Sequence, residues 1–104
     1  MLDKNAVREI AVKYAREVRK IVEPDAILLF GSHVCGSPTE YSDIDVAVIC
    51  NGFEGDWYGT TIALSRLSRE FSFDIEAHLL DAASDTSGFV EHVLKTGEYL
   101  YGGV

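Results

Sequence analysis

The sequence predicts an α/β (α+β) fold: a β-sheet with helices packed on it, in the order α-β-β-α-β-α, with an optional short closing strand. Three observations predict it. Residues 3–22 carry an apolar stripe of helical period. Residues 26–30 and 44–50 are short, nearly continuous apolar runs. Two further helical stretches, 57–71 and 87–95, flank an alternating segment at 72–80. Strands interleaved with helices form a layered sheet-and-helix domain.

The first helix follows from Val7, Ile10, Ala11, Tyr14, Val18, Ile21 and Val22, spaced i, i+3, i+4, i+7. Asp3 suits its N-cap. Glu23-Pro24 stops it, because the residue before proline is pushed out of the α region. Its basic residues lie mostly away from the stripe and read as a solvated face, with a docking face for an acidic partner or a phosphate as the alternative. Ala26-Ile27-Leu28-Leu29-Phe30 then suits a strand buried on both faces, ended by Gly31. His33 to Ser42 is rich in Gly, Ser, Pro and Thr and reads as a loop. Ile44 to Cys50 is a second strand, closed by Asn51-Gly52. Trp57, Thr60, Leu64, Leu67 and Phe71 give the second helix one apolar side. From Ser72 to Leu80 the pattern alternates. Phe73, Ile75, Ala77 and Leu79 take one face; Asp74, Glu76 and His78 take the other. Ser87 to Lys95 is a short last helix with Gly97 as its stop, and Glu98 to Tyr101 is an optional closing strand, with or without which the order stands.

At 104 residues, 47% of them hydrophobic, residues 1–104 are expected to form one domain with one core. The net charge of −8 is unevenly spread: residues 1–22 carry +3 and residues 23–104 carry −11. Direct duplex DNA binding is excluded on this balance, since it rests on many Lys and Arg contacts to phosphate. A cation or a basic partner suits an acidic body better. No apolar run approaches the ~20 residues of a membrane span. Cys35 and Cys50 lack the spacing of a redox or zinc motif. They read as reduced thiols of a cytoplasmic protein.

The segment that carries chemistry is Gly31-Ser32, followed ten residues later by Asp43-Ile44-Asp45. Two residues apart at a strand start, Asp43 and Asp45 leave the same face, with Cα atoms roughly 6–7 Å apart. Two such carboxylates repel unless a cation lies between them. Mg2+ takes hard oxygen ligands, commonly one or two carboxylates with water and substrate phosphates. A third carboxylate on a neighbouring strand would complete a site for two ions. Asp74 and Glu76 both qualify; Asp74 is taken first, and spacing does not separate them. Two metals about 3.5–4 Å apart activate an attacking oxygen and stabilise a leaving pyrophosphate. Gly31 lets backbone approach a ligand, and Ser32 offers a hydroxyl and a free N–H to phosphate. His78 shares the face of Asp74 and Glu76 and reads as a hydrogen-bonded structural residue. Trp57 and the tyrosines read as core and edge aromatics.

Gly31-Ser32, the spacing, and Asp43-Ile44-Asp45 resemble the signature of the polymerase-beta-type nucleotidyltransferases in their minimal stand-alone form. The resemblance extends to Phe73-Asp74-Ile75-Glu76 and to the closing Phe89-Val90-Glu91 and Tyr99-Leu100-Tyr101. It implies the nucleotidyltransferase fold, a mixed β-sheet flanked by helices. It also implies a nucleoside triphosphate, ATP first among candidates, bound with two Mg2+ ions. The implied reaction transfers a nucleoside monophosphate to a hydroxyl. The family's first two metal ligands map onto Asp43 and Asp45, and its phosphate-binding pair onto Gly31 and Ser32. Its third carboxylate maps onto Asp74, with Glu76 second. The resemblance further implies a small helical HEPN-type partner, the two acting as antitoxin and toxin; pairing with a second copy is the other option.

The loop after Gly31-Ser32 reads His33-Val34-Cys35-Gly36, without the basic residue usual there, and no Lys or Arg occurs between Lys20 and Arg66. A triphosphate carries about four negative charges that positive groups normally share with the metals. That feature favours the competing expectation, a nucleotide- or partner-binding antitoxin-like module with little or no catalysis.

Overall fold

The computed structural model describes residues 4–31, 44–72 and 74–102. The chain runs as α1 (Lys4–Val18), β1 (Ala26–Phe30), β2 (Ile44–Cys50), α2 (Trp57–Ser68), β3 (Ile75–Asp81), a 3-10 turn at Ala82–Ser84, α3 (Phe89–Thr96) and β4 (Glu98–Gly102). Asp3, Ser32, the loop from His33 to Ser42, Asp43 and Phe73 lie outside the described residues.

The sheet is mixed, in the order β3-β2-β1-β4. β1 pairs antiparallel with β2 and with β4, whereas β2 and β3 run parallel. The parallel pair is possible because α2 lies between the two strands and carries the chain back across the sheet.

One face of the sheet presents Ile27, Leu29, Ile44, Val46, Val48, Ile75 and Leu79 to Val7, Ala11, Tyr14 and Val18 of α1 and to Leu64 of α2. Tyr14 is fully buried there, and its hydroxyl donates to the Leu64 carbonyl at 2.8 Å. Burial pushes the Tyr14 hydroxyl's pKa well above its ordinary value. The other face holds a smaller cluster, Ala26, Leu28, Ala47 and Ile49 against Val90 and Val93 of α3. With helices on both sides, β1 and β2 need apolar residues at nearly every position, as their sequences supply.

Several details differ from the sequence expectation: the second helix ends at Ser68 rather than Phe71, and β3 begins at Ile75 rather than Ser72. The first helix stops at Val18, where the chain tightens through Lys20 N–H to Glu17 O and Ile21 N–H to Val18 O. Ile21 thereby leaves the stripe and is exposed. Trp57 and Tyr58, expected as core or edge aromatics, stand on the outer side of the first turn of α2, with Tyr58 75% exposed. Basic residues of α1 and the turn after it are engaged: Arg8 with Glu98, Lys13 with Glu9, Lys20 with Glu17, and Arg19 over the Tyr101 ring at 3.9 Å.

α3 lacks a capping side chain at Gly88, which stands at φ 77°. Asp85 takes that role from outside the helix, accepting from Val90 N–H at 3.0 Å and Glu91 N–H at 3.1 Å. Gly97 ends the helix as expected, its N–H returning to the Val93 carbonyl at 2.7 Å.

Candidate metal and nucleotide site

The two halves of the sequence motif converge where β1 ends and β2 begins. Phe30 is the register partner of Asp45, so Gly31 turns away beside the Asp45 side chain. Gly31 adopts φ 84°, in the left-handed region that an L side chain rarely takes. A Cβ there would stand 2.5 Å from Asp45 Oδ2. The glycine is therefore required by backbone conformation and by space.

Parallel pairing sets the second relationship. Asp45 is opposite Glu76, and Ala47 is opposite His78. Side chains of residues two apart on a strand share a face, so Asp45, Glu76 and His78 project together. One donor atom from each lies within 4.8 Å of the others. His78 Nε2 approaches Asp45 Oδ1 at 3.3 Å. Asp45 and His78 are half-buried and Glu76 is exposed, so the group opens to solvent on one side.

This group occupies the sheet face that α3 covers, near the first residue of that helix. The helix has eight residues, about 12 Å of length, and seats over Ala47 and Ile49. Its first residue, Phe89, meets Phe30 edge-on with ring centroids 5.7 Å apart. Phe30 in turn meets the His78 ring edge-on at 5.2 Å. An aromatic wall thus runs from α3 to the histidine and holds its ring beside the carboxylates.

Of the two candidates for the third carboxylate, the described geometry brings Glu76 into the group. Asp74 precedes β3 and is exposed; its carbonyl accepts from Ile44 N–H at 2.8 Å, and its N–H donates to Ser72 Oγ at 3.1 Å. Asp43 and Ser32 lie outside the described residues. The sequence placed His78 on the right face but carried no signal of its approach to Asp45, which depends on the β2–β3 register. Phe30 was read only as a strand residue.

The other end of the same strands is built differently. The Asp81 carboxylate accepts from Gly52 N–H at 2.9 Å, Phe53 N–H at 3.3 Å and Ala83 N–H at 2.9 Å. Hydrogen bonds from Gly52, then Ala83, hold its carboxyl below the ordinary value. Asp25 accepts there from Asn51 N–H at 2.6 Å. Cys50 is buried beside them; burial first, then the charges of Asp25 and Asp81, push its thiol up. These carboxylates are engaged with backbone N–H groups, and they tie the loop after β2 to the sheet. No described helix is long and apolar enough to cross a membrane.

The family described as polymerase beta, nucleotidyltransferase matches residues 11–103. Among solved structures, a candidate nucleotidyltransferase from Sulfolobus solfataricus aligns with a TM-score of 0.67 at 19% identity. It covers 95% of this chain and 83% of that one. A mutant of the toxin–antitoxin MntA-HpeT aligns with a TM-score of 0.64 at 23% identity, covering 98% of this chain and 75% of that one. A toxin–antitoxin structure with AMP-PNP aligns with a TM-score of 0.63 at 25% identity, covering 88% and 73%. No curated protein matches the chain.

Proposed function

Since the chain belongs to the polymerase beta nucleotidyltransferase family, we propose that it moves a nucleoside monophosphate from ATP to a hydroxyl acceptor on a partner protein, with Mg2+ held by Asp43, Asp45 and Glu76. The observation that carries this reading is the convergence of Asp45 with Gly31 on one side and Glu76 on the other. Carboxylate oxygens suit a hard dication, and the open side of the group leaves room for phosphates and water. Divalent ions bound there would neutralise triphosphate charge and favour loss of pyrophosphate.

The chain's own residues divide the remaining work. Gly31 and Ser32 would hold phosphate through backbone N–H groups and a hydroxyl. Asp43 follows from sequence spacing, two residues before Asp45 at the strand start. Glu76 takes precedence over Asp74 because it stands opposite Asp45. The acceptor hydroxyl attacks the α-phosphorus, the bond to the bridging oxygen breaks, and pyrophosphate leaves.

The solved relatives described as toxin–antitoxin proteins, one of them with AMP-PNP, favour an adenine nucleotide and a toxin as the acceptor. In this reading the chain is a cytoplasmic antitoxin that modifies a helical HEPN-type partner. The absence of Lys and Arg between Lys20 and Arg66 favours a second reading, an antitoxin that binds nucleotide and partner with little turnover.

Calorimetry of ATP with Mg2+, on the unmodified chain and on an Asp43→Asn/Asp45→Asn double variant, tests both readings. No Mg2+-dependent binding by the unmodified chain sinks the transferase. Binding without transfer of label from α-labelled ATP to a co-expressed partner selects the second reading.

A further inference from the structure

The geometry points to His78 as a metal ligand, a nitrogen donor that makes this site prefer first-row transition dications to Mg2+. The inference rests on the reading of the site as a metal–nucleotide centre and goes beyond it, because a nitrogen donor strengthens the preference for transition dications over what carboxylates alone give.

Three features carry it. First, the separations suit one ion. Donors about 2.1 Å from a metal lie about 3.0 Å apart when adjacent and about 4.2 Å apart when opposite. His78 Nε2 and Asp45 Oδ1, at 3.3 Å, are near the adjacent distance. The whole group, within 4.8 Å, needs only a small closing movement. Second, the ring is held in place. Phe30 packs edge-on against it at 5.2 Å and is itself braced by Phe89, so the imidazole is not a free surface group. Third, register places the donors on two adjacent, directly paired strands, Asp45 on β2 and Glu76 and His78 on β3. A site on rigid strands keeps its donor set without ordering a loop.

Donor chemistry then sets the preference. Carboxylate and water suit Mg2+, whereas imidazole favours borderline transition metals, whose affinity for nitrogen rises along the first row. An imidazole added to the carboxylates makes a mixed set, and Mg2+ gains less from that nitrogen than Mn2+, Co2+ or Zn2+ do. If His78 merely held Asp45 by a hydrogen bond, a glutamine amide could replace it.

The test uses the full chain, stripped of metal, with Mn2+ and a non-hydrolysable ATP analogue. Protein carrying 15N-labelled histidine is examined by pulsed EPR, which detects a nitrogen bound directly to Mn2+. The expected result is a 15N coupling in the unmodified chain that is lost in His78→Gln. Calorimetry should show the Mn2+ Kd rising about tenfold or more in that variant, with the Mg2+ Kd changing less than about threefold. Mn2+ bound without 15N coupling, or equal changes for both ions, overturns the inference and leaves the metal–nucleotide reading standing. Failure of the unmodified chain to bind either ion with nucleotide overturns both. A His33→Gln variant, which keeps His78, should retain the coupling, so the assignment to His78 does not depend on how the His78→Gln variant folds.

Discussion

Gly31 leaves room for Asp45: at its φ of 84° a methyl group would meet Asp45 Oδ2 at 2.5 Å. Gly31→Ala should therefore do two things. The left-handed conformation costs an L residue about 1–2 kcal/mol, which lowers the melting temperature by several degrees. The displaced Asp45 should lose metal-dependent nucleotide binding by more than the stability change explains. Thermal melts and calorimetry on one preparation separate the two effects; full nucleotide affinity in the variant would count against the site.

Glu76→Gln and Asp74→Asn should part company. Glu76 shares the donor group and Asp74 does not. A ligand that binds only the native state raises its melting temperature. The rise produced by Mg2+ with nucleotide should shrink sharply in Glu76→Gln and persist in Asp74→Asn. The reverse pattern would transfer the third-ligand role to Asp74.

Asp81 should impose an acid limb on stability. Its carboxyl sits below the ordinary value of 3.8 because Gly52 and Ala83 N–H groups favour its charged form. A carboxyl lowered in the folded state binds protons more readily when unfolded. Its contribution is full above the unfolded pKa and is lost as pH falls from near 4 through the folded value. Urea unfolding across that range should show stability falling with acid, and Asp81→Asn should flatten the slope while lowering stability at neutral pH.

Tyr14→Phe removes the buried hydroxyl that donates to Leu64 O, with little change of volume. The expected cost is about 1 kcal/mol, the usual net value of one such bond. Chemical denaturation should show a lower midpoint with an unchanged slope.

Asp85→Ala strips the borrowed cap from Val90 and Glu91 N–H groups. A lost N-terminal cap costs about 1 kcal/mol. Amide exchange of residues 90–93 should speed up before that of β1 and β2 does.

The elements were legible where one residue's neighbours in sequence decide its environment. Apolar runs at 26–30 and 44–50 are strands because helices cover both faces, and the alternation of Ile75, Ala77 and Leu79 put the core on one side. The mixed sheet followed from the motif rather than from periodicity. Distant pairing was not legible. Whether Glu76 or Asp74 stands opposite Asp45 depends on a one-to-one register between strands some 30 residues apart in sequence, which no local pattern encodes. The outward turn of Trp57 and Tyr58 was missed for a related reason. The helical pattern shows which residues lie together, not how far the first turn of α2 overhangs the sheet. Asp81 was read as neither cap nor anchor because its partners, Gly52 and Phe53, come from the preceding connection.

The parallel pairing of β2 with β3 also sets when the site comes into being. Antiparallel neighbours can form early through a short turn, but parallel strands must wait for the segment between them to fold and cross over. Asp45 meets Glu76 only after α2 has closed that long loop. Until then the nascent chain lacks the grouping of Asp45 with Glu76 and His78. On the proposed reading, a copy whose β2–β3 pairing has not formed would be unable to assemble its metal–nucleotide site.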